Sequence, residues 1–98
     1  MKERVTQYEQ SLNDYARVLE NLKSALDAFE EAQPAYRALC AYYGSEAYHE
    51  DLAAERRGEY DDVPRGVLSE DGVYNLMADH FDLSIRLLEL GTKAVSAR

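Results

Sequence analysis

Glu46 and His49 stand three residues apart. On a helix that spacing places a carboxylate and an imidazole on one face, as in the Glu-X-X-His pairs of helical di-iron sites. Such a site needs a second pair and two further glutamates on facing helices. The only other histidine, His80, follows Leu76-Met77-Ala78-Asp79, so the second pair is missing. Ligand number decides a metal site more than spacing does, and no metal or other cofactor is expected. Cys40 and His80 invite a second reading, as a thiolate–imidazole dyad. Both fall on apolar faces, where a cysteine is unreactive and more often a small buried hydrophobe. A glycine-rich phosphate loop, a zinc-type cysteine set and a Ser/His/Asp constellation are all missing from the sequence. No catalytic, cofactor-binding or metal residue is therefore expected, and the chain reads as a non-enzyme.

Recognition chemistry has better material. Eight tyrosines and no tryptophan stand in 98 residues, and tyrosine is enriched at protein interfaces. Tyr8, Tyr15, Tyr36 and Tyr43 lie on an apolar stripe, whereas Tyr42, Tyr48, Tyr60 and Tyr74 lie off it or in a connector. Tyr43 and Tyr74 read as packing residues, and Tyr42 and Tyr48 as interaction candidates. An acidic run (Glu46, Glu50, Asp51, Glu55, Glu59, Asp61, Asp62) reads as a solvated face.

The element that must carry most of this is a long helix. From Val5 to Tyr43 apolar residues alternate at spacings of three and four: Val5, Tyr8, Leu12, Tyr15, Leu19, Leu22, Leu26 and Phe29, then Gln33, Tyr36, Cys40 and Tyr43. This is an a/d heptad pattern. Weakly polar or apolar g positions (Val18, Ala25, Ala32, Leu39) widen the face toward that of a bundle. Pro34 falls inside the pattern without resetting its phase, which predicts a kink rather than a turn. Gly44 fits a left-handed helix end, and Ser45 fits the N-cap of a second helix over about 46–57 that stops at Gly58. Glu59 to Arg65, with Pro64, reads as a loop. A third helix follows Ser69, over about 70–95, with Val73, Leu76, Met77, Phe81, Leu83, Leu87, Leu88, Leu90, Ala94 and Val95 on one broad face. Gly72 in its first turn costs about 1 kcal/mol against alanine, so it implies close approach of another backbone. The fold class is all-α: a long kinked N-terminal helix of about 3–43 and a C-terminal helix in an antiparallel hairpin, joined by a short helix and pairing into a bundle.

In an antiparallel frame with Tyr43 near Ser69, His80 falls opposite Phe29 to Gln33 and about 15 Å from the level of Cys40. Gln33 is the polar member of the heptad stripe, and Pro34 orphans the Glu30 carbonyl. Gln33 and His80 are thus expected to form a structural polar layer, of the kind that fixes register, with His80 or a tyrosine hydroxyl serving that carbonyl.

The segments Gln33-Pro34, Tyr42-Tyr43-Gly44-Ser45-Glu46 and Arg65-Gly66-Val67-Leu68-Ser69-Glu70-Asp71-Gly72-Val73-Tyr74-Asn75-Leu76 resemble a family of short bacterial proteins known as domain of unknown function 4298. The likeness runs over nearly the whole chain, and its specific part lies in residues 33 to 76. Tyr48 stands where a tryptophan is expected, and the loop before Pro64 differs somewhat. The resemblance implies a bacterial origin and a single helical domain, and it implies no activity, ligand or catalytic residue.

Composition bounds the function. The net charge is -8, from 19 acidic and 11 basic residues. That balance argues against sequence-independent nucleic-acid binding and against docking on an anionic membrane. One cysteine allows no intrachain disulfide. The first ten residues carry scattered charges and no apolar run, so neither a signal peptide nor a membrane span is expected. The reading is one domain over 1–98: a cytoplasmic helical protein–protein interaction or scaffold protein, self-associating as a homodimer. Two others stand beside it, a small enzyme or metal-binding protein using Glu46, His49 and His80, and an acidic inhibitor of a basic or nucleic-acid-binding protein.

Overall fold

The computed structural model describes Met1–Ala97, and these residues form an all-α protein with no strand among them. Three helices follow in order, α1 (Lys2–Tyr43), α2 (Glu46–Arg56) and α3 (Gly72–Ser96), with one 3-10 turn at Gly66–Leu68 before α3. The N- and C-terminal helices are the long ones. The residues group into two compact units, Met1–Arg37 and a second from Ala38 onward, the division falling within α1.

The first unit is helix alone. It contains no glycine and only three β-branched residues, Val5, Thr6 and Val18, so little in it opposes helix propagation. Gln10 Nε2 donates to Asp14 Oδ1 at 2.8 Å and Arg17 pairs with Asp14 at 3.6 Å, local i,i+4 and i,i+3 supports on its polar side. α1 holds Pro34 within its span and continues through it. Beside the proline, Gln33 Nε2 donates to the Phe29 carbonyl at 2.9 Å, one residue before the carbonyl that Pro34 orphans. No residue of α1 is buried.

The second unit is built on tight connections. Two residues join α1 to α2. Ser45 is extended (φ -101°, ψ 164°), its Oγ accepts from the Tyr48 amide at 3.3 Å and donates to the Tyr42 carbonyl at 2.6 Å. Ser45 thus caps α2 as its type predicts. Gly44 differs from expectation. Among the described residues only Gly58 has positive φ, at 80°. Gly44 continues the helical bonding, its amide reaching the Cys40 carbonyl at 3.3 Å, so the reversal falls to the extended Ser45 and no left-handed cap is needed. At Gly58 the left-handed turn does occur, its amide bonded to the Glu55 carbonyl at 2.9 Å.

The 3-10 turn packs against both α2 and α3. Ser69 Oγ donates to the Gly66 carbonyl at 2.7 Å and accepts from the Gly72 amide at 3.1 Å. α3 starts at Gly72 rather than 70, because Ser69 and its hydroxyl close the turn first. A Cβ on Gly72 would lie 2.6 Å from both the Gly66 oxygen and Ser69 Oγ, which is the close approach that this glycine implies. Tyr48, Ala54 and Val73 are the buried hydrophobic residues of the described chain.

Candidate functional site

A cluster of side chains surrounds Asp51 and Tyr48 in the second unit. Asp51 projects from α2 and accepts two phenolic hydroxyls, Tyr42 at 2.6 Å from the end of α1 and Tyr60 at 3.1 Å from the connector. Each tyrosine is nine residues from Asp51, on opposite sides in sequence. One carboxylate therefore fastens three segments of chain. Beneath it the Tyr48 ring, 8% exposed, meets Tyr42 edge-on at 5.6 Å between centroids, Tyr43 at 5.1 Å and His49 at 5.7 Å. Such tilted and edge-to-face geometry suits the ring quadrupoles.

Arg65 fastens the other end of the connector. Its guanidinium donates to the Tyr60 carbonyl at 2.8 Å and lies 3.5 Å from Glu55 and 3.8 Å from Asp61. An open cleft of about 540 Å³ adjoins, lined by Tyr48, Leu52, Glu55, Arg56, Leu68 and Glu70.

The electrostatic signature of the cluster is in its phenols. The hydrogen bond to Asp51 comes first in pushing Tyr42 up to about 12, with burial and the Asp51 charge adding to it. Tyr60 is raised by its own bond to Asp51, then by the same charge. A phenolate would lose its donated bond and face the carboxylate. Because the folded value lies above the unfolded one, this stabilisation is complete below about pH 10 and disappears as pH rises toward about 12. In an ultraviolet titration of tyrosinate, the wild-type protein should show a component near 12. Tyr42→Phe should abolish that component, and Asp51→Asn should move it down. A titration unchanged by both substitutions would break the assignment.

The structure separates the residues singled out in the sequence. Tyr42 is half-buried at the Asp51 clasp. Tyr48, read as an interaction candidate, has its ring packed inside the unit, because the Ser45 cap turns α2 where its first turn meets Tyr42 and Tyr43. Tyr74, read as a packing residue, is 64% exposed. Gln33 belongs to the first unit and His80 to the second; both are half-buried. Ser84 Oγ donates to the His80 carbonyl at 2.7 Å. Glu46 and His49 are exposed on α2, and Cys40 is half-buried. Among the described residues, no three of the His, Cys, Asp and Glu side chains gather as a metal site.

Sequence reasoning missed Asp51 and Glu55. Both belong to the acidic run read as solvated, yet both are half-buried and engaged, Asp51 by tyrosines and Glu55 by Arg65. The other five acids of the run are exposed. The geometry makes a structural clasp from a carboxylate and two phenols. Among the described residues no helix is long and apolar enough to cross a membrane.

No curated protein and no solved structure matches the chain. The model of one family, described as a domain of unknown function, matches residues 5–90, the stretch that contains the α1 stripe, the Asp51 clasp and most of α3. The chain belongs to the DUF4298 family.

Proposed function

We propose that the protein is a non-enzymatic cytoplasmic interaction or scaffold module that works as a homodimer, a second copy covering the apolar stripe of α1. The observation that carries this reading is the exposure of that stripe. Val5, Tyr8, Leu12, Tyr15, Leu19, Leu22 and Leu26 are between 42% and 67% exposed, and they lie on one helix face at heptad spacing. A contiguous apolar face of that length left in water marks an association site. The balance of 19 acids to 11 bases supports a protein partner over a phosphate backbone.

Native mass spectrometry of the protein, purified gently from a bacterial cytoplasm, tests the reading. A species at twice the 11.2 kDa chain mass supports it. A monomer at working concentrations overturns it. Additional mass matching a metal ion overturns the non-enzymatic part and makes Glu46, His49 and His80 the first residues to change. Gln33 and His80 keep a structural role in this reading, so His80→Phe is expected to leave the dimer mass unchanged.

A further inference from the structure

We infer that the two α1 helices of the homodimer run antiparallel, in the register that sets Ala16 beside the partner's Ala16. The inference rests on the homodimer proposed above and adds its geometry. Before Pro34 the e positions that flank the α1 stripe are Lys2, Glu9, Ala16, Lys23 and Glu30. Their signs run plus, minus, neutral, plus, minus. Read in the opposite direction, the same series has the opposite sign at every charged position.

In an antiparallel pair, e positions face e positions across one seam. Centring that seam on Ala16 places Lys2 by the partner's Glu30 and Glu9 by the partner's Lys23, and the two-fold axis repeats both pairs. Four attractive pairs result and no repulsive one. Sliding by one heptad in either direction ruins the match. One shift sets Lys2 against the partner's Lys23, and the other sets Glu9 against the partner's Glu30. Lys2, Glu9, Lys23 and Glu30 are all exposed, and the ion pairs of α1 involve Glu3, Asp14 and Arg17 instead. The four charges are therefore available to a partner.

The other seam and the core agree. The g positions brought together are Arg4 with the partner's Ala32, Ser11 with the partner's Ala25 and Val18 with the partner's Val18, without a like-charge clash. Between Tyr8 and Leu26 the core layers become Tyr8 on the partner's Leu26, Leu12 on the partner's Leu22 and Tyr15 on the partner's Leu19. Each ring of these layers meets a leucine, an alternation of shapes that interdigitates. The overlap ends at Gln33, one residue before Pro34, where helical bonding loses a donor.

A parallel, in-register pair is poorer on each count. Its g-to-e contacts include only Arg4 with the partner's Glu9, so two attractive pairs form instead of four. Its layers set Tyr8 against the partner's Tyr8 and Tyr15 against the partner's Tyr15. Flanking charges contribute little strength when exposed, but they choose orientation and partner.

Charge reversal in the full chain tests the register, with dimer dissociation followed by analytical ultracentrifugation. Glu9→Lys and Lys23→Glu each convert two attractive contacts into repulsive ones, and each should weaken the dimer about tenfold. The double variant restores opposite charges across the seam and should return to near wild-type affinity. In a parallel dimer Glu9→Lys instead confronts Arg4, Lys23→Glu faces Val18, and the double variant stays weak. A spin label at Gln7→Cys, in a Cys40→Ser background, gives an independent reading. The antiparallel register separates the two labels by about 30 Å along the axis, whereas a parallel pair brings them to the same level. A dimer without rescue, or with labels at one level, overturns the register and leaves the homodimer standing. A wild-type monomer overturns both.

Discussion

Tyr48→Ala is expected to lower the stability of the second unit by about 3–5 kcal/mol, the usual cost of deleting a buried aromatic ring. The ring is buried and bears on Tyr42, Tyr43 and His49 at once. A unit of this size has a total stability of only about 3–9 kcal/mol, and Ala54 and Val73 are small companions in its interior. Loss of the ring should therefore melt α2 and release the connector, seen as a fall in helical circular dichroism and rapid amide exchange over 46–56. Tyr48→Phe separates ring from hydroxyl. Among the described residues the Tyr48 hydroxyl makes no hydrogen bond, so that variant should stay within about 1 kcal/mol of wild type. Tyr48→Trp should also fold, because the cleft beside the ring is open and about 540 Å³ in volume, and it would add a fluorophore to a chain without tryptophan. A Tyr48→Ala protein as stable as Tyr48→Phe would remove the ring from the centre of the unit.

The two units differ in how far their structure can be read from sequence, and the reason is the range of the interactions that build them. α1 is periodic, and periodicity reports helix residue by residue. Ser45 before α2 is equally legible, because an N-cap depends on contacts three residues away. Asp51 was not legible. Its two phenolic donors lie nine residues off in each direction, a separation at which no helical or turn spacing applies. Its neighbours Glu46, Glu50 and Glu55 make it one acid among several. The same limit explains Tyr48, whose burial depends on where the two-residue link sends α2. In α3 apolar residues occupy so much of the surface that the wheel gives a broad face. Beyond the buried Val73, the sheltered stripe is narrower, with Met77, His80, Ser84 and Leu87 half-buried, while Phe81, Leu88 and Val95 are 65%, 68% and 70% exposed. The sequence says which residues are apolar, and the number of available partners decides which of them are covered.

Gly72→Ala should show the opposite sign from an ordinary glycine-to-alanine change in a helix. In a helix with open space around it, alanine is the better residue by about 1 kcal/mol, partly because it narrows the unfolded ensemble. Gly91 is the internal control, since nothing lies within 4 Å of a Cβ built there. Gly91→Ala should raise stability by about 1 kcal/mol. At Gly72 the added carbon would sit 2.6 Å from the Gly66 carbonyl oxygen and 2.6 Å from Ser69 Oγ. Neither atom can yield alone. Ser69 Oγ is held between the Gly66 carbonyl and the Gly72 amide, so moving it breaks the contacts that close the turn onto α3. Overpacking of this kind costs about 1–3 kcal/mol, which reverses the sign of the propensity gain. Gly66→Ala sharpens the comparison, because its Cβ meets nothing within 4 Å either. Thermal melts of the three variants should rank Gly91→Ala above wild type, Gly66→Ala close to wild type and Gly72→Ala well below. If Gly72→Ala melts with Gly91→Ala, the 3-10 turn does not hold the start of α3 at this distance, and the second unit must be closed by the Asp51 clasp and the Tyr48 ring alone.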